Sequence, residues 1–218
     1  MKLGKDAKTA IDGDPHKAWL LQALLDATTS RKGSHYTGIC FSDKLNYWYS
    51  TDGFRLFAAA GSLLPGKAGK FIPKPFAESL ALEPVPETNA WRNPDIECLI
   101  PKQQPKKIVT MYIPKVVSAA DDKNYDGHMT LNFEKDGYYT YLGKLPPEKL
   151  AEDHIHFYMA NWSHLGGNTV RILYYAKNEG VLVLPAKGTN KNALENEWFS
   201  LIMPTKHPGE ELIRDVEV

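Results

Sequence analysis

The chain has 218 residues, enough for one large domain or two modest ones and enough to bury a core without staples. Its 26 Lys and Arg balance 26 Asp and Glu, which excludes a surface built throughout to attract nucleic acid but leaves room for a local basic lining. Cys40 and Cys98 each sit in an apolar run and read as buried thiols; with no secretory leader and no apolar run of membrane-spanning length, a cytoplasmic protein without membrane contact is expected.

Residues 1–14 are rich in Lys and Asp and read as loose. Asp14-Pro15 then starts a helix, because an Asp side chain accepts orphan amide hydrogen bonds and proline suits the first turn. The spacing of Trp19, Leu20, Ala23, Leu24 and Ala27 carries that helix over His16–Thr28. Tyr36–Phe41 reads as a strand. Tyr47, Trp48 and Tyr49 read as the next, Asp52-Gly53 as a tight turn, and Arg55–Ala60 as the returning strand, with Leu56 and Ala58 on one side. After a Gly/Pro/Lys loop, Phe71-Ile72 reads as a short strand and Pro73–Leu82 as a short helix. Glu83–Asn93 reads as an irregular connection, Ile96–Ile100 as a brief apolar piece, and the KQQPKK run Lys102–Lys107 as a linker between two halves.

In the second half Ile108–Ile113 alternates as a strand, and Pro114 opens a short helix to Ala120. Met129–Phe133 and Tyr138–Leu142 form a hairpin around Asp136-Gly137. His154–Phe157 is a strand, Met159–Leu165 a short helix. Val170–Tyr175 and Val181–Leu184 pair around Glu179-Gly180, and Trp198–Met203 is the last strand. The residues after Pro204 read as a mobile acidic end. Strands joined by hairpins with few, short helices predict an α+β architecture with helices on one sheet face.

Little in this pattern points to catalysis. There is no GxSxG elbow, phosphate-loop glycine pattern or HExxH. His154 and His156 stand two apart on one strand face beside Glu152 and Asp153, but a third metal ligand would have to come from elsewhere. Asp12, Asp14, Asp121 and Asp122 read as cap or turn residues. No enzyme, metal or cofactor is expected. Lys17, Arg31, Lys32, Lys115 and Lys123 would hold a phosphate backbone without reading bases if they share a curved face; otherwise they are solvated helix-end and loop cations.

The residues Ser50-Thr51-Asp52-Gly53-Phe54-Arg55-Leu56 resemble the TDGHRL hairpin in the middle domain of the bacterial DNA polymerase sliding clamp, the beta subunit. Asn93–Pro101 is similar to the stretch closing that domain, and Ile108–Ala120 to the strand and helix opening the last one. Val170–Pro185 followed by Trp198–Pro204 is similar to the clamp's ending. The order agrees over about residues 14–205. The resemblance implies a DNA-clamp-like fold of two domains, 1–103 and 104–218, each made of paired strand-helix-strand units. It implies a non-catalytic replication accessory, from a phage or other mobile element, that encircles double-stranded DNA and receives a polymerase or repair protein through a short hydrophobic motif.

Carried over by position, the peptide pocket comprises Thr51, Gly53, Phe54, Arg55 and Leu56, with Pro101 at the domain junction and Leu201, Ile202, Met203, Pro204 and Thr205 as the other wall. Lys17, Arg31, Lys32, Lys115 and Lys123 face DNA, and two domains per chain imply a homotrimer. Phe54 replaces the family's histidine, Thr205 replaces its second terminal methionine, and the residues beyond Thr205 either cover the pocket or dock elsewhere. The alternative reading is a monomeric clamp-fold scaffold that binds peptides without encircling DNA.

Overall fold

In the computed structural model of the chain the described residues are 13–28, 38–63, 71–73, 96–114, 127–134, 137–142, 145–176, 179–187 and 190–204. The first helix, α1, spans Pro15–Asp26. Asp14 caps it as its sequence requires, accepting from the His16 amide at 2.9 Å and the Lys17 amide at 3.3 Å. It stops two residues before the expected end, where the Thr28 hydroxyl donates to Leu25 O at 2.7 Å. Leu21 and Leu25 are buried alongside Leu20, Ala23 and Leu24, because α1 packs against both a sheet and a second helical segment.

Eleven strands follow among the described residues: β1 Gly38–Ser42, β2 Tyr47–Thr51, β3 Arg55–Ala60, β4 Phe71–Pro73, β5 Lys107–Tyr112, β6 His128–Glu134, β7 Gly137–Leu142, β8 Asp153–Tyr158, β9 Thr169–Tyr174, β10 Val181–Pro185 and β11 Trp198–Ile202. Eight form one antiparallel sheet in the order β4-β1-β2-β3-β11-β10-β9-β5. Each half of the chain supplies four neighbouring strands of this sheet. The join is the β3–β11 ladder, with Arg55 opposite Ile202 and Leu56 opposite Leu201. The remaining three strands form a second antiparallel sheet, β7-β6-β8.

One face of the large sheet carries the main core. Phe57, Ala59, Ile172, Tyr174, Trp198 and Ile202 share one core cluster there with residues of α1 and of the 3-10 helix Met159–Leu165. Leu131, Phe133, Ile155 and Phe157 of the small sheet join the same core, with the Phe133 and Tyr174 rings 4.5 Å apart. The other face carries a smaller cluster that includes Tyr49, Leu56, Ala58, Leu182, Phe199 and Leu201. The fold is α+β, with antiparallel sheets and the longer helical segments on one face.

The brief apolar piece after residue 95 is a one-turn helix, α2, at Ile96–Leu99. Only Ile96 of that turn is buried, so Cys98 is exposed rather than buried as its apolar neighbours suggested; Cys40 is buried as expected. Pro73 belongs to β4, opposite Gly38, and not to a helix. The rest of the helix expected to follow it, and most of the one expected from Pro114, lie outside the described residues.

Candidate functional site

The β2–β3 hairpin is held by its own side chains. Gly53 takes a positive φ of 93°, which favours glycine at the tip. Asp52 Oδ1 accepts from the Phe54 and Arg55 amides at 2.9 and 3.0 Å. The Thr51 hydroxyl donates to Arg55 O at 2.6 Å and accepts from the Gly53 amide at 3.0 Å. The Met203 amide donates to Phe54 O at 2.8 Å, so the end of β11 is tied to the hairpin.

Strand alternation then divides these residues between the sheet faces. Leu56 and Leu201 face each other on the smaller-cluster side. There they floor a cavity of about 990 Å³. Leu99, Ile100, Pro101 and Met203 add apolar walls, and Thr51, Lys102, Gln103 and Glu179 add polar ones. Leu99 is 51% exposed, Met203 45% and Phe54 55%, an accessible apolar surface around the hairpin end. Gly180 brings the β9–β10 turn close: a Cβ there would stand 3.0 Å from Met203 Sδ.

The structure brings seven of the expected pocket residues to this cavity: Thr51, Gly53, Arg55, Leu56, Pro101, Leu201 and Met203. Ile202 does not reach it. It is fully buried in the main core, because it sits one residue out of phase with Leu201. Phe54 and Pro204 stand outside the lining, and Thr205 lies outside the described residues. Sequence reasoning missed Cys98, Leu99, Ile100, Lys102, Gln103, Glu179 and Gly180. The apolar run ending at Pro101 and the Glu-Gly turn were visible, but nothing in one dimension placed them beside the hairpin.

Arg55 is built in differently from a pocket cation. Its side chain is 12% exposed. Nε bonds Asp52 Oδ2 at 3.0 Å, one terminal nitrogen bonds Ala160 O at 2.7 Å and Ser163 Oγ at 2.8 Å, and the other bonds Asp26 O at 2.5 Å. The guanidinium thus ties the hairpin to the end of α1 and to the 3-10 helix of the second half. Its charge, second to burial, holds His164 well below the usual imidazole range. His164 is therefore neutral. Ser200 donates to Leu56 O at 2.8 Å, so its oxygen must accept from His164 Nε2–H at 2.9 Å.

Of the expected DNA-facing residues, Lys17 lies half-buried on α1, a helix whose other charged residue is Asp26 apart from His16. Arg31, Lys32, Lys115 and Lys123 lie outside the described residues. His156 Nδ1 pairs with Thr130 Oγ1 at 2.9 Å and His154 Nδ1 with Ala151 O at 2.7 Å. Among the described residues no group of three or more His, Cys, Asp or Glu is placed to hold a metal, and no helix is long and apolar enough to cross a membrane.

No protein-family model and no curated protein matches the sequence. Solved structures match the fold. The beta chain of DNA polymerase III from Streptococcus pneumoniae is 15% identical, with a TM-score of 0.56 over 86% of this chain and 63% of that one. A DNA polymerase sliding clamp from Pseudomonas aeruginosa is 13% identical, with a TM-score of 0.57 over 88% of this chain and 64% of its own. The clamp from Bacillus subtilis is 14% identical, with a TM-score of 0.54 over 88% and 62%. The chain thus has the fold of bacterial sliding clamps and spans under two thirds of the length of these clamp chains.

Proposed function

We propose that this chain is a clamp-fold binding protein, not an enzyme, that receives a short apolar segment of a partner in the cavity between hairpin β2–β3 and strand β11. The partner class is a DNA polymerase or repair protein, and the setting is DNA replication in the cytoplasm. The observation that carries this reading is the 990 Å³ apolar cavity at the ladder joining the two halves, with Leu99 and Met203 left exposed at its edge. Apolar concavities with a few polar groups suit short linear peptides. A fluorescent synthetic peptide carrying Leu-Leu-Phe tests it. Replacing Leu99 and Met203 together by Asp should weaken binding at least about ten-fold, since each loses roughly 1.5 kcal/mol or more of apolar contact. Unchanged affinity overturns the assignment.

A second reading adds assembly: copies of a chain divided into domains 1–103 and 104–218 close a homotrimeric ring around duplex DNA. Its support is the fold shared with proteins named as sliding clamps. Against it stands α1, where a single lysine, Lys17, is balanced by Asp26. Light scattering decides the point. A mass of three chains favours the ring, with DNA retention that falls on charge reversal at Lys17 and Lys115, and a monomer at high concentration removes it.

A further inference from the structure

The apolar cavity beside hairpin β2–β3 has a neighbour. A second cavity of about 540 Å³ shares Ile100, Pro101, Lys102 and Gln103 with it as a common wall. The second lining is mixed. Tyr175, Leu182 and Ala193 belong to the smaller core cluster and Leu194 packs against it, while Gln104, Asn190, Lys191 and Asn192 add polar groups.

Both sides of this second cavity are held in place. Arg171 donates to Pro185 O at 3.0 Å and to Asn190 O at 2.7 Å, and the Asn192 side chain accepts from the Leu194 amide at 3.1 Å. On the common wall Ile100 packs against the smaller cluster, and the Lys106 amide donates to Tyr174 O at 2.8 Å. Pro101 and Pro105 fix their own φ angles in the same stretch. A surface ordered in advance loses little entropy when a ligand arrives.

Charge is unevenly committed between the two cavities. Arg55 bonds Asp52, Glu97 pairs with Lys44, and Glu179 accepts from Gln103 at 2.6 Å. Lys102, on the common wall, and Lys191, which lines the second cavity alone, are exposed and make no ion pair among the described residues. Glu179 lines the larger cavity alone. A carboxylate on a ligand is therefore repelled on the Glu179 side and attracted across the common wall.

We propose that the second cavity is an accessory anchor for the same partner segment. The segment leaves the larger cavity, crosses the wall at Lys102, and turns a carboxylate toward Lys102 and Lys191 and an aliphatic side chain toward Leu182 and Leu194. The proposal rests on reading the larger cavity as the peptide site, and it names the partner's chemistry: an apolar motif flanked by an acidic and a further aliphatic residue. A second contact on the same segment forms at the effective concentration its spacer sets, so a modest contact multiplies the affinity of the first.

The test uses the full chain and the fluorescent Leu-Leu-Phe peptide, extended through Gly-Ser-Gly by Asp-Leu at its N-terminus or at its C-terminus. Three spacer residues reach about 10 Å, enough to cross one extended backbone. In one of the two orientations the extended peptide should bind about ten-fold tighter than Leu-Leu-Phe, from one further leucine contact and one exposed charge pair. Asp-Gly and Asn-Leu extensions should each lose part of that gain, and added salt should remove the part due to Asp. Lys191→Glu should cancel the gain from Asp and leave the affinity for Leu-Leu-Phe itself unchanged. No gain in either orientation, while Leu-Leu-Phe still binds and replacement of Leu99 and Met203 by Asp still weakens it, overturns the accessory anchor and leaves the larger cavity's assignment standing. A gain that survives Lys191→Glu in full overturns it too, because the extension then lies elsewhere. If Leu-Leu-Phe itself does not bind, both readings fall.

Discussion

Arg55, carried over to the pocket by position, commits its charge to holding three elements together. Removing one partner from a shielded, charge-assisted network leaves polar groups unsatisfied. Arg55→Ala should therefore cost about 3 kcal/mol in urea unfolding, and Arg55→Lys most of that, since an ammonium cannot span the same acceptors. A loss below about 0.5 kcal/mol would mean the network is solvent-compensated. His164 gives a pH signature. Its folded-state value lies well below the usual 6.5. Between those values the unfolded chain binds a proton that the folded chain refuses, so stability falls as pH drops below about 6.5, by up to about 1.4 kcal/mol per unit. His164→Gln should flatten that slope relative to the parent chain. His128, His154 and His156 are present in both and cancel from the comparison.

Among the elements, β11 is the one with two jobs. Its even face, Trp198, Ser200 and Ile202, serves the main core, and its odd face, Phe199 and Leu201, serves the cavity side. Ser200→Ala would strand the His164 N–H inside that core and should cost about 1–3 kcal/mol without touching the cavity. The β9–β10 turn offers the converse. Gly180→Ala places a Cβ 3.0 Å from Met203 Sδ and 3.3 Å from Ile202 O. The thioether can swing away but the carbonyl cannot. The variant should stay folded by circular dichroism while its affinity for the Leu-Leu-Phe peptide changes by several-fold. Unchanged affinity would separate Met203 from the binding surface.

For the whole molecule, the β3–β11 ladder is the decisive contact. A continuous sheet through the join makes each half the neighbour strand of the other, and Arg55 adds a second tie to Ala160 and Ser163. Unfolding should accordingly be one transition, with Trp fluorescence and far-UV circular dichroism coincident. Two separated transitions would show halves that are stable alone, with the ladder a docking contact.

The single chain of letters was enough for the hairpin around Asp52-Gly53, the Asp14 cap, the alternating strands and the mixed α+β character, because each follows from contacts within a few residues. The same local logic failed at Cys98 and Ile202. Whether an apolar residue in a one-turn helix faces in or out depends on what packs over it, and whether a strand residue lines a cavity depends on which face its partner strand presents. Only the tertiary structure put Leu56 opposite Leu201, laid the linker and the Glu179-Gly180 turn beside them, and turned Arg55 toward α1. Those placements come from pairing strands more than a hundred residues apart, a choice made by the total burial of the two faces and not by any stretch read alone.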